Sequence, residues 1–220
     1  MLYLRNYSTF FNLGETFAIS ESYANKTFHS ISKLLINVVK LPSKRDLSNK
    51  GLTILLVDAS EQPIERPCKN QRDYYSGKKG RHTIKAQLAM ELELNMILKV
   101  DCSKGAVHDF KLFKNSKLPL SKKVVVITDL GYVGIKKMVD NVLIPYKSSK
   151  NNPLTSEQKA FNKKLSKKRI AIEHKIRECK IFRIVKDVYR GKHKNYGLMW
   201  NIIAGLVNFK VVTRHLNYAS

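Results

Sequence analysis

KKVVVITD, at Lys122–Asp129, decides the fold. An apolar run of this length reads as a strand buried on both faces, and this one ends on a carboxylate. LTILLVD, at Leu52–Asp58, is a second run of the same kind and also ends on an aspartate. Between the two, HTIKAQLAMEL and NMILKVD give two strands joined by a turn, an antiparallel meander. KGAVHDFKLFKNSKL then reads as a loop and a short helix beginning near His108–Asp109. Beyond Asp129, LGYVG supplies a turn, IKKMVD a short helix, and VLIPYK (Val142–Lys147) a fifth strand.

The next long element is helical. FNKKLSKKRIAIEHKIRECKIF, at Phe161–Phe182, is preceded by Thr155 and Ser156 as caps. At about 100° per residue, Phe161, Leu165, Ile172, Ile176 and Cys179 fall in an arc of roughly 60°, an apolar stripe for a core. Arg169, Glu173 and Lys180 share a second arc of about 40° on its shoulder, while Lys163, Lys164, Lys167 and Lys175 point mostly elsewhere. A carboxylate at the core margin, flanked by two cations, suits a group facing a metal beside a polyanion. The alternative is a solvated basic helix with one Arg169–Glu173 pair, worth a few tenths of a kcal/mol. FRIVKDVYR follows as a short strand or extended piece, and Tyr196–Val212 as an amphipathic closing helix.

Upstream, residues 1–41 read as helical. TFFNLGETFAIS offers a short helix broken near Gly14. Ser20 then caps a longer helix whose core face is Ala24, Phe28, Ile31, Leu35 and Val38. Its first turn exposes Ser22, Tyr23, Asn25 and Lys26, as a helix-turn-helix recognition element requires; ordinary helix packing gives the same pattern. Residues 42–51, broken by Pro42 and Gly51, read as a linker, which leaves 52–220 as the main domain. Within it, Tyr74–His82 is a basic tract. Lys78, Lys79, Arg81 and His82, with Tyr74 and Tyr75, are suited to gripping phosphate and stacking on bases, or to a solvated hairpin tip around Gly77 and Gly80.

The composition narrows the partner. The formal net charge of the 220 residues is +24, which calls for a polyanion: nucleic acid or an anionic membrane surface. No apolar run approaches the roughly 18–20 residues of a spanning helix, and the N-terminus lacks a signal peptide's apolar core. Three widely spaced cysteines, Cys68, Cys102 and Cys179, fit reduced thiols in a cytoplasm, with neither a disulfide framework nor a zinc site. Nucleic acid is the favoured partner.

Three strands, a helix, a strand, a helix, a strand and closing helices describe a mixed α/β sheet of the ribonuclease-H type, five-stranded with flanking helices. Its first and fourth strands lie side by side, so Asp58 and Asp129 meet at neighbouring strand ends, and the long helix brings Glu173 over the same end. Three carboxylates so placed repel unless a cation joins them. Two hard divalent ions resolve that and align an oxygen for in-line attack on a phosphodiester. Oxygen ligands favour Mg²⁺, with Mn²⁺ as a substitute. Either aspartate alone also reads as a cap or turn residue. Asp109 beside His108 is a competing ligand or a supporting pair. No nucleophile elbow or phosphate-binding glycine loop is present.

VDASEQPIERP (Val57–Pro67), YYSGKKGRHTIKAQ (Tyr74–Gln87), GAVHDFKLF (Gly105–Phe113) and TDLGYVGI (Thr128–Ile135) occur in this order ahead of the Glu173 helix. Together they resemble the catalytic domain of compact bacterial insertion-sequence transposases of the DDE superfamily, related to eukaryotic harbinger elements. The resemblance spans roughly 52–211. It implies a ribonuclease-H-like fold with Asp58, Asp129 and Glu173 as metal-binding catalytic carboxylates. It also implies that Arg169 and Lys180, spaced around Glu173, hold transposon-end DNA. The tyrosine often found three residues before that arginine is Ser166 here. The first 41 residues are similar to the family's helix-turn-helix, but shorter at the front, so the chain reads as N-terminally short.

The expectation is therefore a DNA transposase, or its C-terminal part, cutting double-stranded DNA at an element's terminal inverted repeats and joining the 3′ ends to target DNA. It would act as a homodimer or higher assembly, in a bacterial cytoplasm and on the nucleoid when bound. Two rivals stand beside it: a ribonuclease-H-like DNA nuclease that does not transpose, and a truncated DNA-binding remnant without catalysis.

Overall fold

The computed structural model describes residues 1–42, 52–118 and 120–219, with side chains as far as Thr213. All but the first residue of the expected 42–51 linker therefore lies outside the described residues. In chain order the elements begin with helices α1 (Leu2–Asn6), α2 (Phe10–Phe17) and α3 (Glu21–Val38). Strand β1 (Ile54–Pro63), helix α4 (Gln71–Tyr74), and strands β2 (Tyr75–Ser76), β3 (Arg81–Glu91) and β4 (Met96–Lys104) follow. Next come α5 (Asp109–Ser116), β5 (Val125–Ile127), a 3₁₀ helix over Leu130–Lys137, and β6 (Val142–Leu143). The chain closes with α6 (Ser156–Lys180), 3₁₀ turns at Arg183–Val185 and His193–Asn195, and α7 (Tyr196–Ala219).

The main sheet runs β4-β3-β1-β5-β6. β3 is antiparallel to both β1 and β4, with Asp58 opposite Leu88. β5 is parallel to β1, with Leu56 opposite Ile127, and β6 is parallel to β5. This is the mixed ribonuclease-H-like order expected from the sequence. β1 and β5 sit side by side because both are apolar enough to be covered on two faces. One face of the sheet, including Leu56, Leu88 and Met90, packs on Leu165, Ile172 and Cys179 of α6 and on Trp200 and Ile203 of α7. The other, including Leu55, Val57 and Val126, packs on Phe113 of α5 and on Tyr132 and Ile135 of the 3₁₀ helix. Each large side chain fully enclosed this way contributes about 1.5–3 kcal/mol.

Several expectations are corrected. The strand expected over 122–129 is three residues long, ending where Asp129 starts a 3₁₀ helix by accepting the Gly131 N–H at 2.9 Å, and that over 142–147 is only two residues long. FRIVKDVYR begins as a 3₁₀ turn, since the buried Gln62 amide donates to the Ile184 and Asp187 carbonyls; only Tyr189 is extended, bridging to Ile64. α2 runs through Gly14 and ends at Phe17, with Ala18 left-handed at φ 52°. Gly14 is small because the turn crosses it: a Cβ there would lie 2.6 Å from the Ile19 carbonyl oxygen. On α3, Ala24, Phe28 and Leu35 do face inward, but Ile31 and Val38 are exposed, and Ser32 and Val39 are buried instead. The face is rotated toward the positions i, i+4 and i+8. Lys175 of α6 is buried, with its ammonium 3.4 Å from Glu178.

The first helices are packed on the body. Leu4, Tyr7 and Val39 belong to the same apolar cluster as Tyr189 and Trp200. Arg190 lies over the Tyr7 ring at 4.3 Å, its backbone N–H donates to the Tyr7 hydroxyl at 2.7 Å, and its guanidinium donates to the Tyr7 and Ser8 carbonyls.

Candidate active site

Asp58 lies within β1, two residues beyond the end of its pairing with β5, and lines the cleft that opens where β5 stops. One oxygen accepts the Ala59 N–H at 2.8 Å. Burial pushes the Asp58 carboxyl up from 3.8 to about 6. The Ala59 N–H and the Arg169 guanidinium pull it down, and the charges of Asp129 and Glu173 push it further up. Three carboxylates from distant parts of the chain thus act on one another.

Asp129 stands two residues after the end of β5 and caps the 3₁₀ helix. Glu173 projects from the middle of α6, half-exposed, 4.0 Å from Arg169. That helix is fixed at its start by a reciprocal cap: the Gln158 N–H donates to the Thr155 hydroxyl, and the Thr155 N–H to the Gln158 side chain. Asp58, Asp129 and Glu173 line one cleft of about 240 Å³, with Asp109, Lys78, Lys79 and Lys180 also on its walls. Burial, and after it the Lys79 charge, lowers the Lys180 ammonium from its usual value. An anion between these two lysines relieves that repulsion.

The remaining expected site residues are spread out. Arg81 and His82 sit on the far strand of the Tyr75–His82 hairpin; the His82 ring meets Tyr75 edge-on at 5.7 Å. Tyr74 instead packs against Lys104 and His193. Ser22, Tyr23 and Lys26 are exposed on the first turn of α3. Asn25 turns toward a separate cavity of about 360 Å³ shared with Tyr7 and Arg190. His108 caps α5, its ring nitrogen accepting the Phe110 N–H at 3.4 Å.

Sequence reasoning did not find how two of the quoted motifs interlock. A Cβ on Gly131 would lie 3.0 Å from both Asp109 Oδ2 and Asp129 Oδ1, and one on Gly134 would lie 2.5 Å from the Phe110 ring. The glycines of DLGYVG are thus the space into which GAVHDF fits. Phe113 meets Tyr132 edge-on at 6.3 Å and completes the contact. Lys85 was also missed, because a lysine inside a strand reads as solvent-facing. Its side chain is buried and donates to Asp109 at 2.7 Å.

The donor set fits hard divalent cations: it is all carboxylate oxygen, and burial first, then the charges of Asp129 and Glu173, raises the Asp58 pKa, a cost that a cation would relieve. The buried Ser60 hydroxyl, also on the cleft wall, has no hydrogen-bond partner. Among the described residues no three His, Cys, Asp or Glu side chains stand close enough together to hold a metal ion as they are.

β1, expected to end on Asp58, runs on to Pro63, because its pairing with β3 continues through that residue. A mixed sheet carrying one acidic residue in its first strand, one just after the strand parallel to it and one on a helix beyond them defines a class of phosphodiester-cleaving enzymes. Residues 57–208 match the family described as DDE superfamily endonuclease, and the chain belongs to it. It is 38% identical over 218 residues to a probable transposase for insertion sequence element IS702 from Microchaete diplosiphon, covering 96% of this chain and 78% of that relative. No solved structure matches the chain. No helix among the described residues is long and apolar enough to cross a membrane.

Proposed function

We propose that the protein is a DNA transposase that cleaves the ends of an insertion sequence and joins the freed 3′ ends to target DNA. The observation that carries this reading is the convergence of Asp58, Asp129 and Glu173 on one cleft walled by Lys78, Lys79 and Lys180. The similarity to a probable insertion-sequence transposase supports it. Asp58, Asp129 and Glu173 would hold two Mg²⁺ ions, or Mn²⁺ in their place. When bound, the ions supply activation of the attacking oxygen and neutralisation of the leaving one.

The protein's own groups supply placement. Lys78 and Lys79 on the hairpin, facing Lys180 at the end of α6, grip the phosphates on either side of the scissile one. Arg169 acts electrostatically on Asp58 and pairs with Glu173 at 4.0 Å, and from beside those carboxylates it would hold the transposon-end DNA. The start of α3, where Ser22, Tyr23 and Lys26 are exposed and Asn25 is half-buried, would read the element's end. A dimer or higher assembly would hold two ends together.

The test is a reaction on DNA carrying the element's terminal repeats, with Mg²⁺, Mn²⁺ or EDTA, beside an Asp129→Asn control. Metal-dependent strand-transfer products that vanish in the control are expected. Hydrolysis without transfer would identify a nuclease instead. Salt-sensitive DNA binding with no product in either metal would identify a DNA-binding remnant.

A further inference from the structure

Asp109 reaches the cleft from the opposite face of the sheet to Glu173, and the chain before it is built to deliver it. Gly105 lies so close to β3 that a Cβ would be 2.1 Å from the Thr83 hydroxyl and 2.6 Å from the Thr83 carbonyl oxygen. The Gly105 N–H donates to that carbonyl at 2.9 Å, and the Ala106 N–H to the Asp73 carbonyl at 3.0 Å. The loop is thereby fixed to the sheet just before α5 begins. Lys85, on β3, then reaches across it. Its ammonium donates to the Val107 carbonyl at 2.8 Å and to Asp109 Oδ1 at 2.7 Å. Glu61, across the strand pair, lies 3.6 Å away and accepts the Thr83 hydroxyl with its other oxygen at 3.0 Å.

This network uses one oxygen of Asp109. The other, Oδ2, stands at the same 3.0 Å from the vacant Cβ position of Gly131 as does Asp129 Oδ1. Beside them is the Tyr132 hydroxyl, fully buried and without a hydrogen-bond partner. Burial, and after it the charges of Asp109, Asp58 and Asp129, raise its pKa. Asp109 is not sealed into that network: its side chain is about a quarter exposed and it lines the cleft. Orienting one carboxylate oxygen by a buried donor while leaving the other free is how outer groups prepare a metal ligand.

We propose that Asp109 is a fourth carboxylate of the divalent-ion site, on the Asp129 side, and that Lys85 is its positioning residue. This rests on the carboxylate-cleft reading above.

The test is Mn²⁺ titration of the full chain without DNA, followed by the electron-paramagnetic-resonance signal of free Mn²⁺, with thermal melts alongside. Asp109→Asn keeps an acceptor for Lys85 but removes the charge, and should weaken Mn²⁺ binding about tenfold or more. Lys85→Met should weaken it comparably, and Lys85→Arg should recover part of the loss. If Lys85→Met does not fold, the Asp109→Asn titration decides. Wild-type Mn²⁺ affinity in Asp109→Asn overturns the proposal, as does a Lys85→Met protein that melts earlier but binds Mn²⁺ normally. Asp58→Asn separates the two levels. If it loses Mn²⁺ binding while Asp109→Asn keeps it, only this inference fails; if it binds normally, the carboxylate-cleft reading fails with it.

Discussion

The Asp58 carboxyl is the residue on which the site's electrostatics can be read most directly. In the metal-free protein it is raised from 3.8 to about 6, so between those values the folded chain holds a proton that the unfolded chain has released. Its contribution to stability is therefore greatest below pH 3.8, falls as pH rises toward 6, and above that is a constant cost of about 1–3 kcal/mol. Asp58→Asn in EDTA should accordingly melt later than wild type at pH 8, with the gap closing toward pH 4, while metal-dependent activity is lost. Equal melting at pH 8 would remove the cost of the buried Asp58 charge from the account. The two glycines of DLGYVG give a second residue-scale prediction. Gly134→Ala drives a methyl into the Phe110 ring and should cost about 1–3 kcal/mol by denaturant unfolding. Gly131→Ala meets only two carboxylate oxygens, so it should cost about 1 kcal/mol or less yet lower activity tenfold or more. The reverse ranking would place Gly131 in the packing rather than at the site.

At the scale of elements, the Tyr75–His82 hairpin is predicted to act through its tip. Lys78 and Lys79 line the cleft, whereas Arg81 is exposed and His82 is turned toward Tyr75. Lys78→Ala and Lys79→Ala should each weaken DNA binding evenly across sequences and reduce the salt slope by about 1, measured by titration over a range of salt. An unchanged slope would put the DNA elsewhere. The elements themselves were legible to different degrees for physical reasons. β1, β3, β4 and β5 could be placed because sustained apolar runs and alternation leave few other structures. Glu173 could be placed because the stripe Leu165, Ile172, Ile176 and Cys179 fixes which side of α6 is buried. Lys85 and Lys175 could not, because their burial depends on partners supplied by other segments. The rotation of α3 was hidden for a related reason: Ser32, whose hydroxyl satisfies the Phe28 carbonyl at 2.8 Å, is small and self-paired enough to face the core where Ile31 does not. The meeting of GAVHDF with DLGYVG was hidden because fit into the space above a glycine leaves no periodic trace.

For the whole molecule, helices α1 and α3 and the sheet with the α6 and α7 helices that cover it share one apolar cluster, and their junction has little slack. A Cβ on Gly205 of α7 would lie 1.9 Å from the Val39 carbonyl oxygen, a backbone atom that cannot swing away. Gly205→Ala should therefore cost about 1–3 kcal/mol and expose the segment before residue 42 to limited proteolysis, while a surface substitution such as Lys163→Ala should do neither. The net charge of +24 holds DNA, but it does not choose a phosphate to cleave. In the function proposed above that choice rests on the carboxylate cleft, and the most direct measurement is anomalous diffraction from a crystal equilibrated with Mn²⁺. The account predicts Mn²⁺ within about 2.0–2.3 Å of carboxylate oxygens of Asp58 and Asp129, with Glu173 on a second ion. Mn²⁺ at saturating concentration bound elsewhere, with these three side chains unliganded, would contradict it.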